Sequence, residues 1–496
     1  MSRLYTFLLV SVPALLIGIF FGPQLNRLNT QAASLLNTAN NGERIISRSA
    51  KPPIIVGTIS HWSHTEKFIQ VGKGLIEKGY AVTFIGGPLF RDQIESIGAT
   101  FEEVEGSPTT PGYQLSDELM AELAKMDVLA PETAIFLWGN MFLKSIPKSF
   151  RALQRTLKRL DDARTIFIHD VMFFAATPLF RGAAGLRPHT TMAIGVVPAS
   201  FESNDTMPYN SGLLPHTGPD AHNIHWQAQL EADKHPIWSG LNAMIDEVFA
   251  EMGAAPPGMR ASTAMGSLAD IYCPMTIPEF DFTRSDSKVE TVFIGMPKTP
   301  GLPNRELPPW WEDILQAKKE GKKVIAVSRS SFDVSLENTI LPALEGLKSR
   351  TDLVVVVALV NSEVGDFKAE HDIPSNAYIT RLIPFDLLFP HVDVLVTSAG
   401  YGTIQNALRH GVPVLSHGEL EDKPQIGALI QHTGVGVFYQ HANLDAQTVS
   451  DSVDKLLGNS SYLHTARKIQ DIYKDYDPID KLDQLIQERM KAFEEL

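Results

Sequence analysis

The stretch DVLVTSAGYGTIQNALRHGVPVL, residues 393–415, constrains this chain more than any other. DVLVT is β-branched and apolar enough for a buried strand. SAGYG supplies two glycines, residues that take backbone angles others resist. Thr403 reads as an N-cap, and Ile404, Ala407 and Leu408 mark one face of a short helix. Gly411 suits a left-handed helix end, and VPVL starts the next strand. The reading is strand, glycine turn, helix, strand: a βαβ unit with its helix N-terminus open above the sheet. Such a terminus attracts anions, phosphate above all. A structural βαβ turn with no ligand fits the same residues.

The pattern around this unit occurs twice. In the first half, IIVGTI and YAVTFIGG read as strands around the helix HTEKFIQVGKGLIEKG, whose Phe68, Val71, Leu75 and Ile76 share a face and whose end falls at Gly79. RDQIESIG, a helical region at about 115–160, and the strand TIFIHD running into an apolar helix follow. Residues 200–235 are rich in Pro, Asn, Gly and His and read as long loops. A proline-studded connector separates this half from a second one, where KKVIAVS, DLVVVVALV and GVGVFY are strands and 446–458 a helix. The expected organisation is 1–22 anchor, 23–50 stem, 51–280 first α/β domain, 281–310 connector, 311–465 second α/β domain and 466–496 helical tail. Two such halves imply a cleft between them, where ligands usually sit.

Of 496 residues, 44% are apolar and 20% charged, as in ordinary globular proteins. The formal net charge of −14 leaves no basic surplus for nucleic acid. A single cysteine, Cys273, excludes an internal disulfide and a cysteine-cluster metal site. No charge interrupts Leu4 to Asn26, and the apolar run over residues 4–21 is long enough to approach one bilayer crossing. A cleaved signal peptide is the rival reading, weakened by the lack of a clear small-x-small cleavage site. The expectation is a single-pass protein of the endoplasmic reticulum or another endomembrane. Asn204 and Asn459 head acceptor sequons that matter only if the main body is lumenal.

Three places offer chemistry. His64 opens the first helix just after a strand end, where a base can face a cleft, and His61 lies three residues earlier. Asp170 ends TIFIHD in an analogous position and could cap the helix that follows, or serve as the carboxylate that orients a histidine base. In HGELEDKPQ, Glu421 and Asp422 could accept hydrogen bonds from sugar hydroxyls while Lys423 donates. A solvated charged loop is the plain alternative. No ligand cluster supports a metal site.

VDVLVTSAGYGTIQNALRHGVPVL followed by EDKPQIGALIQHTGVGV resembles the donor-binding signature of the UDP-glycosyltransferases, in particular their bacterial and fungal branch. PEFDFTRSD…FIG…LPPWWEDI and NDTMPYNSGLLP resemble connector and acceptor-side segments of that branch. The resemblance runs from about residue 53 to about 440. It implies the GT-B fold: two facing Rossmann-like domains, the first binding the acceptor and the second the nucleotide sugar, here with an added N-terminal transmembrane anchor. It also implies inverting transfer from a UDP-sugar co-substrate to a lipophilic small molecule, with neither metal nor cofactor. His64 falls at the family's base and Asp170 at its partner carboxylate. Ser398, Gly400, Gly402 and Thr403 match the diphosphate turn, Glu421, Asp422 and Lys423 the segment that reads the sugar, and Ser331 and Phe385 the nucleotide end. Ser398 and Ala399 replace the usual His or Asn followed by Gly, Ser330 replaces a glycine, and Leu382 replaces a tryptophan. These departures keep a second reading open: a catalytically weak GT-B-like protein that binds a partner or lipid at a membrane. A sugar epimerase shares the fold, but the His64–Asp170 placement and the connector argue against it.

Overall fold

The computed structural model describes residues 51–107, 117–127, 130–298, 307–330, 335–360 and 362–495. The expected anchor and stem therefore lie outside the described residues. Among the described residues, no helix is long and apolar enough to cross a membrane.

Two parallel sheets carry the structure. The first has strand order β3-β2-β1-β4-β5-β6-β7, with β1 at Ile54–Gly57, β2 at Val82–Gly86, β3 at Thr100–Glu103, β4 at Ile166–Asp170, β5 at Thr190–Gly195, β6 at Ile271–Pro274 and β7 at Glu290–Thr291. The second has order β10-β9-β8-β11-β12-β13, with β8 at Lys323–Ser328, β9 at Leu353–Ala358, β10 at Ala377–Thr380, β11 at Val394–Thr397, β12 at Val414–His417 and β13 at Gly436–Tyr439. Strands buried on both faces have no need of polar alternation, which explains runs such as LVVVVA in β9. Side-chain parity still sorts them: Ile54 and Val56 of β1 join one cluster while Ile55 joins another.

Five helices matter to the site: α1 (Trp62–Glu77), α2 (Tyr401–Arg409), α3 (Lys423–Thr433), α4 (Ser460–Tyr473) and α5 (Pro478–Glu494). Phe68, Val71 and Leu75 of α1 are fully buried, the face that its sequence period marks. After β4 the chain makes turns and a short 3₁₀ segment, Thr177–Arg181, instead of the expected apolar helix. Pro178 and Gly182 break that run. Residues 200–235 are loops only in part, since Ala221–Asp233 forms a helix.

The halves are tied together twice. The connector adds β7 to the first sheet, and its Phe282, Ile294 and Met296, with Phe280 just before it, join a hydrophobic cluster shared by β1 and β8. Arg409 at the end of α2 donates from Nη1 to the carbonyls of Met296 (3.2 Å) and Pro297 (2.9 Å). Helix α5 then returns to the first half, where Leu482 and Ile486 are fully buried. The Tyr80 hydroxyl donates to Asp483 Oδ1 at 2.6 Å. Asp477 caps α5 by accepting from the N–H groups of Ile479 and Asp480.

In each sheet the chain builds outward on one side and then resumes on the other. The reversal lies between β1 and β4 in the first sheet and between β8 and β11 in the second. Connections on either side of such a reversal leave in opposite directions and open a crevice at the carboxyl ends of the strands. Both crevices open into one cavity.

Candidate active site

The first crevice holds the His64–Asp170 pair. His64 lies in the first turn of α1, just beyond the end of β1, and Asp170 is the last residue of β4. Because β1 and β4 are adjacent, the two side chains meet: His64 Nδ1 and Asp170 Oδ2 are 2.7 Å apart. Asp170 is completely buried, and its other oxygen accepts the Met172 N–H at 2.9 Å. A carboxylate so placed accepts, so Nδ1 carries the hydrogen and Nε2 keeps its lone pair for the cavity. His61 is differently placed. It precedes α1, its Nδ1 lies 2.8 Å from Ser63 Oγ, and burial, with the nearby His64 and Lys67, pulls its pKa down to about 3. A histidine that acidic is a poor proton acceptor near neutrality.

The second crevice is built from backbone. The cap of α2 is Gly400, not Thr403, and no side chain caps the helix. Its first N–H groups therefore point into the crevice without intrahelical partners. The glycines serve another purpose than the sequence suggests: Gly400 has an ordinary φ of −73° and Gly402 is helical, while the left-handed residue is Ala399, at φ 52°. Gly402 lies close to a side chain from the other half. A methyl group there would stand 3.3 Å from Cε and Nζ of Lys67, which reaches over from α1. Gly411 takes the left-handed end of the unit, at φ 69°.

The cavity between the crevices has a volume of about 620 Å³ and is lined from both halves. His64, Phe385, Gly400, Gly402, Thr403, Glu421, Asp422 and Lys423 all line it. Ser398 does not: it is buried beneath the turn, where its Oγ accepts the Ser330 N–H at 2.9 Å. Ser331 lies outside the described residues. Phe385 stacks on Phe389 with ring centroids 4.7 Å apart, so its orientation is fixed by packing. Lys423 Nζ sits 3.0 Å from Glu421 Oε2, directing that pair toward each other. Burial first, then the Glu421 charge, raises the Asp422 pKa to about 6, with Lys423 pulling the other way. Among the described residues, four of the five non-glycine positions with positive φ line this cavity: Asn210, Val360, Ala399 and Glu421. Left-handed conformations cost non-glycine residues energy and gather where the surroundings impose a required geometry. For Val360, at φ 63° and β-branched, the cost is highest.

The sequence patterns did not single out three residues that line the cavity: Tyr209, Asn210 and Lys67. Tyr209 and its neighbour Asn210 come from the first half, yet the Asn210 N–H donates to Gln425 Oε1 of α3 at 3.3 Å. Burial, then the nearby Asp422, pushes the Tyr209 phenol well above its usual range. Only the irregular NDTMPYNSGLLP segment marked them, and loops carry no periodicity. Lys67 was more accessible, standing three residues after His64 and so one helical turn along the same face.

Residues 345–480 match the model of the erythromycin biosynthesis protein CIII-like C-terminal domain. The UDP-glucosyltransferase avaP of Aspergillus versicolor is 30% identical over 448 residues, covering 86% of this chain and 95% of its own. This chain belongs to the UDP-glycosyltransferase family. UDP-glycosyltransferase 2 of Phaeomoniella chlamydospora is 28% identical over 449 residues, or 88% of this chain and 95% of that one. Among solved structures, the glycotransferase of kitacinnamycin superposes with a TM-score of 0.61 at 16% identity, covering 88% of this chain and 99% of the other. At that identity the likeness speaks for the two-sheet GT-B fold alone. This UDP-glycosyltransferase thus has its family's architecture around the cavity described above, together with a serine–alanine pair at the start of its turn.

Proposed function

We propose that this UDP-glycosyltransferase moves glucose from UDP-glucose to a hydroxyl of a lipophilic small molecule, a secondary metabolite, sterol or lipid, with inversion and without a metal ion. One observation carries the reading: a histidine oriented by a buried carboxylate faces, across one cavity, the open N-terminus of α2 and the carboxylate of Asp422. Domain 51–280 takes the acceptor and domain 311–465 the donor. The acceptor wall is apolar, with Trp138, Met141, Phe142, Val197 and Met265. His64 Nε2 takes the acceptor proton as the acceptor oxygen bonds to the anomeric carbon. The bond from that carbon to the diphosphate oxygen breaks, and its electron pair stays with the leaving UDP. The N–H groups of α2 stabilise the charge that gathers there. Asp422 accepts from sugar hydroxyls, Lys423 and Glu421 support it, Thr403, Gly400 and Gly402 form the diphosphate floor, and Phe385 and Ser331 hold the nucleotide end, with Ser398 bracing the turn.

Residues 4–21 anchor the enzyme in an endomembrane in this proposal, bringing the cavity near lipid-soluble acceptors. The test is transfer by the full chain from UDP-glucose to a panel of sterols, long-chain alcohols and phenols, with and without EDTA. EDTA-resistant formation of the β-glucoside is the expected result. Activity that needs a divalent ion, or α-linked product, would refute the mechanism, and turnover only with strongly polar acceptors would refute the acceptor class.

A further inference from the structure

We propose that Lys67 is a donor-binding residue that reaches across the cleft to the diphosphate of the nucleotide sugar, so that one turn of α1 carries both the proton acceptor and the leaving-group cation. The inference rests on the donor site proposed above and adds a residue from the opposite half. Lys67 follows His64 by three residues, so both lie on the cavity side of α1. Its stem runs toward the second half until Nζ stands 3.3 Å from where a Gly402 methyl would be. It thus meets the first turn of α2, whose N–H groups no side chain caps.

An ammonium aimed at a helix N-terminus is electrostatically unfavourable, because both ends are positive. Each is favourable toward an anion lying between them. The nitrogen also donates to the Ser63 carbonyl at 3.0 Å, which holds it back against its own helix and leaves it further protons to give. His61, just before α1, and His64 and Glu66 on it line the same cavity as Lys67, with Asp422 lining it from the second half. Burial disfavours its charged form, and only Glu66 works against this. A diphosphate restores the balance by supplying the opposite charge. A methyl group at 402 would shift the cation by only a few tenths of an ångström, whereas a bulkier side chain would crowd it away from the turn.

In the transfer step Lys67 moves no proton. As the anomeric C–O bond breaks, negative charge grows on the diphosphate oxygen that received the electron pair, and the ammonium stabilises it. Because His64 and Lys67 share one helix, a bound diphosphate fixes the base relative to the scissile bond.

The test compares binding of UDP and of uridine to the full-length wild type and to Lys67→Met, Lys67→Arg and Gly402→Val, by calorimetry. For Lys67→Met, UDP affinity is expected to fall about tenfold to a hundredfold, as for loss of a charge-assisted hydrogen bond, while uridine affinity is unchanged. Lys67→Arg should recover part of the loss, Gly402→Val should reproduce it, and kcat with UDP-glucose should fall together with UDP affinity. Equal UDP affinity in Lys67→Met and wild type would overturn the inference, as would parallel losses for UDP and uridine. If wild type itself fails to bind UDP while folded, it is the donor-site reading that falls.

Discussion

The two crevices solve the same topological problem with different materials. At the reversal of the first sheet, two side chains do the work: His64 and Asp170 are set by adjacent strand ends, and a hydrogen bond of 2.7 Å fixes the imidazole. At the reversal of the second, the backbone does it: an uncapped helix end preceded by a left-handed alanine, with strained Val360 and Glu421 along the same wall. A base must be one chemical group with one tautomer, so a side chain suits it. A diphosphate, the ligand proposed for the second crevice, presents several oxygens to be met at once, and a row of N–H groups can meet them without conformational entropy to lose. The difference teaches that substitutions should act by chemistry on the first side and by shape on the second.

The largest expected effect tests the first side. His64→Ala should lower kcat by about 10²–10⁴-fold, the range for a positioned base, and leave the dissociation constant for UDP unchanged. Near wild-type turnover in this variant would move the role elsewhere and dissolve the contrast. The next concerns what holds the two crevices in register. Ile486 of α5 is fully buried against the first half, and Ile486→Ala should cost about 2–5 kcal/mol in a denaturant titration. A cost below about 1 kcal/mol, as for a surface substitution, would show that the tail is not part of the core.

Asp422 gives the second side a titratable reporter. Its carboxyl holds a proton up to about pH 6 in the fold, against 3.8 for the ordinary group. The native state then binds more protons than the unfolded chain between these values, so this group's contribution to stability falls as pH rises from about 4 to about 6. In the proposed reaction sugar recognition by Asp422 runs the other way, because only the ionised carboxylate accepts with both oxygens. KM for UDP-glucose should rise as pH drops through about 6, and Asp422→Asn, always neutral, should lose that acid limb. An unchanged limb in the variant would assign it to another group.

The smallest effect addresses strain. Asparagine tolerates left-handed backbone far better than valine, so Val360→Asn should stabilise the fold by about 1 kcal/mol. If the wall's shape is tuned for the donor, this gain should accompany an unchanged or weaker UDP affinity. Destabilisation would mean that valine's packing there outweighs its strain.

Much of this was legible beforehand. The strands of both sheets announce themselves as β-branched apolar runs, because parallel strands bury both faces. The 393–415 unit reads correctly as strand, turn, helix and strand, and His64 and Asp170 stand out because strand ends are where such folds place chemistry. What failed did so where local rules compete with packing. Thr403 is a good cap by propensity, but Gly400 caps α2, since Tyr401 is buried and the helix begins three residues earlier. Ser398 reads as a ligand because it belongs to the turn, and sequence cannot say that its oxygen faces the Ser330 amide.

From the sequence alone came the fold class, the pairing of two α/β halves and the residues at two strand ends, all consequences of short-range periodicity and of chain direction. The tertiary structure decided which of those residues meet. Lys67 lies over Gly402, Tyr209 stands near Asp422, and α5 returns to bury Ile486 against the first half. Those contacts join residues hundreds of positions apart, and no local pattern encodes them. They follow from packing the buried faces of both halves and the tail into one hydrophobic cluster, which fixes how the two crevices face each other.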